Sequence, residues 1–273
     1  MATWEFPGSD PIDLRVACAA GSVTITAEPT DVITVRATRG KHRDPEGPVD
    51  DVSVDYADGH LEFSEEERRG LRWHSEDLHV TMVVPAGSRA AVRTASAKVA
   101  CRGEYGAVDI YTASGSVDVE NVAGTADITT MSGGLQLLEA GDCQLHTASG
   151  RISVRHAAGD LTAKTASGSI TIGAADGSVT AKTASGGVHI NAVRRGQTEV
   201  NGVSGSVEIK VVEGIGVYQD LASLSGRVTS ELDSSGQGGP DGAEIPGETL
   251  SLRCRTVSGS ITVGRAPAGQ MAG

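Results

Sequence analysis

The sequence predicts an all-β chain wound as a β-solenoid of about nine or ten rungs, and three observations carry that prediction. The phrase Thr-Ala-Ser-Gly stands intact at 112–115, 147–150, 165–168 and 183–186, with close variants at 130–133 and 256–259. The serines of this phrase and its eroded copies fall at 96, 114, 132, 149, 167, 185, 204, 225 and 258, in steps of 18, 18, 17, 18, 18, 19, 21 and 33 residues. Between phrases the apolar residues alternate with period two, as strand side chains do. So short a period means that one repeat cannot bury its own apolar face and must stack on its neighbours. With aromatic residues at only 3%, the core must be built from thin rungs of Val, Ile, Leu, Ala and Thr.

The elements follow in chain order. Leu14 to Ile25 matches a later repeat position by position and reads as the first rung. A strand-rich stretch follows, with strands at Val32 to Arg36, Val49 to Tyr56, His60 to Phe63 and Leu78 to Pro85, separated by polar loops at 41–48 and 64–70. Residues 1–95 are thus expected to form a first rung and a strand-rich N-terminal cap that covers backbone edges. Residues 96–264 hold the regular repeats. In Leu161 to Ile172, Leu161, Ala163, Thr165 and Ser167 share one parity, Lys164 points outward, and the apolar set shifts after Gly168, so the chain turns at Ser-Gly. The Thr and Ser of the phrase share the buried parity and are expected to point inward or line the corner. There they would form an internal hydrogen-bonded ladder rather than an ice-binding face. The segment 233–248 reads as a loop inserted before a last rung, and 265–273 as a flexible tail.

Charge and composition exclude several functions. A net charge of −12 argues against nucleic acid, whose phosphates demand clustered Lys and Arg. No stretch approaches the roughly 20 apolar residues of a membrane span, and the first residues carry no export signal, so no direct membrane insertion and a cytoplasmic location are expected. Cys18, Cys101, Cys143 and Cys254 lie far apart without metal spacing and read as reduced thiols. No metal or cofactor is implied, and no catalytic residue is assigned. The outward column of the strand entering each Ser-Gly corner reads Tyr111, Thr129, His146, Lys164, Lys182, Asn201 and Arg255; the other strand offers Asp118, Ser153, Thr171, His189, Glu208, Thr229 and Thr262. Neither column repeats the paired carboxylates that glycoside chemistry needs. His146 and His189 read as solvated side chains.

One outward column is unusual: Ala113, Met131, Ala148, Ala166, Ala184, Val203, Leu224 and Val257 form a small apolar strip beside a mildly basic one. A contiguous exposed apolar strip often marks a contact surface. Met131, Val203, Lys164, Lys182 and Arg255 are therefore the candidate contact residues. The competing expectation is that these residues are small only because they flank a tight corner or lie under the loop 233–248.

Over residues 10–264 the chain resembles the bacterial β-strand-repeat family catalogued as domain of unknown function 4097. The resemblance rests on Ala-Gly-Ser-Val-Thr-Ile at 20–25, Val-Val-Pro-Ala-Gly at 83–87 and the Ser-Gly-x-Val/Ile rungs that follow. It implies a β-solenoid with adhesin-like binding of an unknown protein or glycan. A polymerising scaffold of the kind bactofilins form is the alternative, and a carbohydrate-active β-helix enzyme a more distant one. Elaboration at the N-terminal end favours a monomer over a filament.

Overall fold

The computed structural model describes residues 1–40, 49, 51–65, 77–232 and 249–266. The loops expected at 41–48 and 233–248 lie outside these residues, as do 66–70 and 267–273. Ser64 and Glu65 close a strand, and so does Arg265. The described residues form strands and turns with no helix, so the chain is all-β. It divides into two compact units, Met1–Thr147 and Ala148–Gly273.

The strands of the first unit are β1 (Ala2–Pro7), β2 (Asp13–Glu28), β3 (Val32–Arg39), β4 (Val52–Ala57), β5 (His60–Glu65), β6 (Leu78–Pro85), β7 (Arg89–Tyr105), β8 (Ala107–Ser114), β9 (Val117–Ser132) and β10 (Leu135–Ser149). The rungs pair in parallel. The first half of β2 lies between β5 and β7, with Leu14 opposite Leu61 on one side and Ala90 on the other. Its second half lies between β6 and β7, with Val23 opposite Val80 and Val99. The stack continues through β7 to β8 and β9, so that Val16, Phe63, Val92, Ile110 and Ile128 fall in one buried column. Three antiparallel strands extend the outer side: β4 on β5, β3 on β6, and β1 on β3.

The rung at 14–25, first in sequence, is therefore not the first in space. The chain leaves it, builds β3 to β6 on one side, and returns to lay β7 on the other. Ser88 fixes the return: its hydroxyl donates to the Pro85 carbonyl at 2.6 Å and accepts the Ile12 N–H at 3.0 Å, wholly buried. Tyr105 ties rungs far apart in sequence, its buried hydroxyl donating to the Ile25 carbonyl at 2.7 Å.

The second unit holds β11 (Ile152–Ala157), β12 (Leu161–Ser167), β13 (Ile170–Ala175), β14 (Val179–Ser185), β15 (Val188–Val193), β16 (Gly196–Ser204), β17 (Val207–Val211), β18 (Gly216–Ser223), β19 (Val228–Ser230), β20 (Thr249–Ser258) and β21 (Ile261–Arg265). On one face the order in space is β12, β14, β16, β20, β18, and on the other β11, β13, β15, β17, β21, β19, all parallel. The segment expected to be the last rung, 249–265, is thus inserted between the rung of β16 and β17 and the rung of β18 and β19. The 33-residue step marks an excursion to an outer rung and back. A repeat period reports the size of a rung but not which neighbour it meets, and so the spatial order escaped the sequence at both ends.

Burial confirms the inward parity of the threonines but not of the serines. Thr112, Thr130, Thr147, Thr165, Thr183 and Thr256 are buried, whereas Ser114, Ser132, Ser149, Ser167, Ser185 and Ser258 are exposed together with the residue before each. The bend begins after the threonine, so the next two side chains splay on its convex side. The ladder is also less hydrogen-bonded than expected: the hydroxyls of Thr112, Thr147, Thr165 and Thr256 are buried without a partner. Thr94 differs, accepting the Ala97 N–H at 3.0 Å. Glycine at the corner is required on two counts at Gly168, where φ is +155° and an added Cβ would overlap the Gly150 carbonyl oxygen of the adjoining rung.

Candidate functional site

Parallel register decides which outward residues meet. In the second unit Lys164 lies opposite Lys182, Lys182 opposite Asn201, and Asn201 opposite Arg255. Neighbouring strands are roughly 4.8 Å apart, so the two lysines stand side by side. Both are exposed, and among the described residues no carboxylate within 4.0 Å is paired with either. Like charges directly opposite on adjacent strands are destabilising. Asn201 continues the column and donates to Glu199 at 2.6 Å. Arg255 reaches Asp220 at 3.4 Å, and Asp220 also holds Arg253 at 3.3 Å.

Beside this column runs the corner strip. Ser167, Ser185, Ser204 and Ser258 are in mutual register, which places Ala166, Ala184, Val203 and Val257 on successive rungs, all exposed. Lys164, Lys182, Val203 and Arg255 therefore share one face of the second unit. Met131 occupies the same corner position in the first unit, where it is half-exposed.

The opposite face of the second unit carries several charge contacts. His189 approaches Glu208 on the next rung at 3.4 Å, and Lys210 approaches the same carboxylate at 3.5 Å. His156 reaches Asp176 at 3.1 Å at the second corner. His189 is thus engaged across a rung, not simply solvated. His146 is half-buried.

The first unit contains a carboxylate pair that lies in neither of the two outward columns read from the sequence. Asp109 lies opposite Asp127 on adjacent rungs, two residues before Tyr111 and Thr129. The signal was present, since outward positions recur every second residue and this column was one step upstream. Arg93 grips Asp109 with two bonds of 2.8 Å, and this contact holds the Asp109 carboxyl below its ordinary value. A glycoside general acid needs the opposite shift. On the other face of this unit, Glu120 accepts the Gly103 N–H at 2.7 Å and Arg102 at 2.8 Å, which lowers its pKa likewise.

Other reactive chemistry is subdued among the described residues. Cys18, Cys101, Cys143 and Cys254 are buried and free. Burial pushes their thiols up, Cys18 to about 11 and the other three to about 12. Among the described residues no group of three or more His, Cys, Asp or Glu could hold a metal ion, and no helix is long and apolar enough to cross a membrane.

A family model described as Toastrack DUF4097 matches residues 12–264. Among solved structures, a candidate adhesin from Bacteroides fragilis is 14% identical, with 96% of each chain covered and a TM-score of 0.50. A candidate lipid-binding protein from Parabacteroides distasonis is also 14% identical, with 96% of each chain covered and a TM-score of 0.47. A candidate adhesin from Parabacteroides merdae is 11% identical, covering 96% of this chain and 95% of that one, with a TM-score of 0.34. At such identities the likeness speaks to fold, and only the first reaches a TM-score that carries the argument. No curated protein matches the chain.

Proposed function

The chain belongs to the Toastrack DUF4097 family, and from that premise we propose that it works by binding, without catalysis, through the lysine column and corner strip of its second unit. The carrying observation is the register of Lys164 with Lys182, two exposed like charges side by side on a chain of net charge −12. Their repulsion is an unfavourable contact that an anionic partner would relieve. The flanking apolar strip of Ala166, Ala184, Val203 and Val257 adds area that a partner buries favourably. The partner is a protein or glycan bearing carboxylate or sulfate groups, in keeping with the adhesin-like relatives. Arg255 closes the column at one end, and Met131 gives the first unit a similar apolar corner. Four buried free thiols favour a reducing compartment, the cytoplasm. Non-catalytic action is supported by the engaged Asp109 and by thiols held protonated.

The test places a photo-crosslinking residue at Ala184 or, as control, at Arg155 on the other face. The Ala184 derivative should capture a partner in cells of origin, and Lys164→Glu with Lys182→Glu should abolish that capture without lowering the melting temperature. Equal capture from both positions, or capture indifferent to the reversals, overturns the assignment.

A further inference from the structure

The outermost rung of the second unit, β18 and β19, is built unlike the rungs beneath it. Along the inward columns, Leu161, Val179, Thr198 and Leu252 lead to Gln219, and Ile172, Ile190, Ile209 and Val263 lead to Ser230. Gln219 and Ser230 hydrogen-bond to each other at 2.9 Å across the two faces, ending those columns in a polar pair. Val228 continues the column of Ile170, Val188, Val207 and Ile261, yet is 42% exposed because no described rung covers it. On the same rung Tyr218 is 72% and Leu224 83% exposed, and Leu224 adjoins the exposed Val257. Among the described residues, no strand pairs with the outer side of β18 or β19. An uncovered strand edge with apolar side chains is a template for another strand.

The backbone shows which groups face outward. Ile261 N–H donates to the Arg227 carbonyl at 2.9 Å, and Glu231 N–H donates to the Val263 carbonyl at 2.8 Å. Residues 227, 229 and 231 therefore turn their backbone groups to β21, and by alternation Val228 and Ser230 present theirs to the open side. The sequence across this edge is Arg227-Val228-Thr229-Ser230-Glu231, with Thr229 at its centre. Antiparallel pairing of this segment with its own copy about Thr229 sets Val228 opposite Ser230, a pair exchanging two backbone hydrogen bonds, and does so twice. It also sets Arg227 opposite Glu231 twice, at the closer side-chain spacing of a non-hydrogen-bonded pair. Neither Arg227 nor Glu231 forms an ion pair with any described residue.

We propose that the open edge of β19 is the interface of a closed homodimer, in which two copies of this chain pair antiparallel about Thr229 with reciprocal Arg227–Glu231 contacts. The occupant is a second copy because the edge is complementary to itself in charge and in hydrogen-bonding pattern. A two-fold contact of this kind uses the same patch on both partners and stops at two. This goes beyond the binding role assigned to the lysine column and uses other residues.

Light scattering on a sizing column, with the full chain between about 1 and 100 µM, reads the outcome. The unmodified chain should run at twice its mass of 27.9 kDa at the upper concentrations. Val228→Pro, which removes an outward N–H and leaves the bonds to β21 in place, should give monomer. Arg227→Glu and Glu231→Arg should each weaken association on the order of tenfold, since each converts two attractions into repulsions, and the double reversal should restore it. Lys164→Glu with Lys182→Glu should leave the dimer intact. A monomer at every concentration overturns the proposal. So do rods that lengthen with concentration, a dimer that ignores the edge variants, or a dimer lost only with the lysine reversals.

Discussion

Replacing Thr165 by Val should stabilise the protein, while the same replacement at Thr94 should destabilise it. Both threonines are buried at the same corner of their rungs. The Thr165 hydroxyl has no hydrogen-bond partner, whereas that of Thr94 accepts the N–H of Ala97, itself fully buried. A buried polar group left unpaired costs about 1–3 kcal/mol, and exchanging it for a methyl of the same shape removes that cost. Valine keeps the β-branched shape that suits a strand. Thr165→Val is thus expected to gain about 1 kcal/mol or more, a rise in melting temperature of roughly 2–4 °C for a protein of this size. Thr94→Val reverses the sign, because it orphans the Ala97 N–H and loses about 1–3 kcal/mol. Thermal and urea unfolding followed by circular dichroism would measure both. Thr165 and Thr256 are separated by two intervening rungs, so their gains should add. A loss of stability in Thr165→Val, or shifts of equal sign at both positions, would refute the reasoning.

Three further outcomes are expected. Gly168→Ala should cost well over about 1 kcal/mol, because it combines an unfavourable φ with overlap on the adjoining rung; a melting temperature within 1 °C of the parent would contradict that. No cysteine should react with a thiol reagent in the native protein at about pH 8, and four should react once it is unfolded; since the folded thiols stay protonated, stability should fall as pH rises above about 9, where the unfolded thiols ionise. Asp109 and Glu120 titrate lower in the folded chain than unfolded, so their contribution is present above the ordinary carboxylate range and is lost as pH falls through it; Asp109→Asn should flatten the acid limb of a plot of melting temperature against pH, and an unchanged limb would count against the Arg93 contact.

The rung was legible because stacking imposes a period, and the period is visible in Thr165-Ala166-Ser167-Gly168 and its copies. The inward placement of Ile170, Ala163 and Thr165 followed from alternation alone. Alternation failed at Ser167, since a bend of the backbone resets which side is outward and the sequence gives no bend angle. The register of Lys164 with Lys182 could be inferred from equal spacing, and the structure reproduces it. Asp109 and Asp127 were equally inferable from the same spacing, one outward column upstream of Tyr111 and Thr129. What alignment of repeats could not supply was the order of rungs in space. Thr249 to Arg265 carries the same apolar alternation as its neighbours, and nothing in it says that β18 and β19 lie beyond it.

That interior seat for β20 and β21 has a consequence for synthesis. β18 and β19 leave the ribosome about 35 residues before β21 does, a delay of about 2–7 s at roughly 5–20 residues per second. During that interval their proper partners do not exist, while the free flanks of β16 and β17 do. By the register that β20 mediates, Gln219 and Leu221 can meet Thr198 and Val200 there, giving a provisional stack one layer short. The nascent chain must either hold this layer off or evict it when residues 249–265 arrive, so insertion of β20 and β21 is expected to be a late event in folding of the second unit.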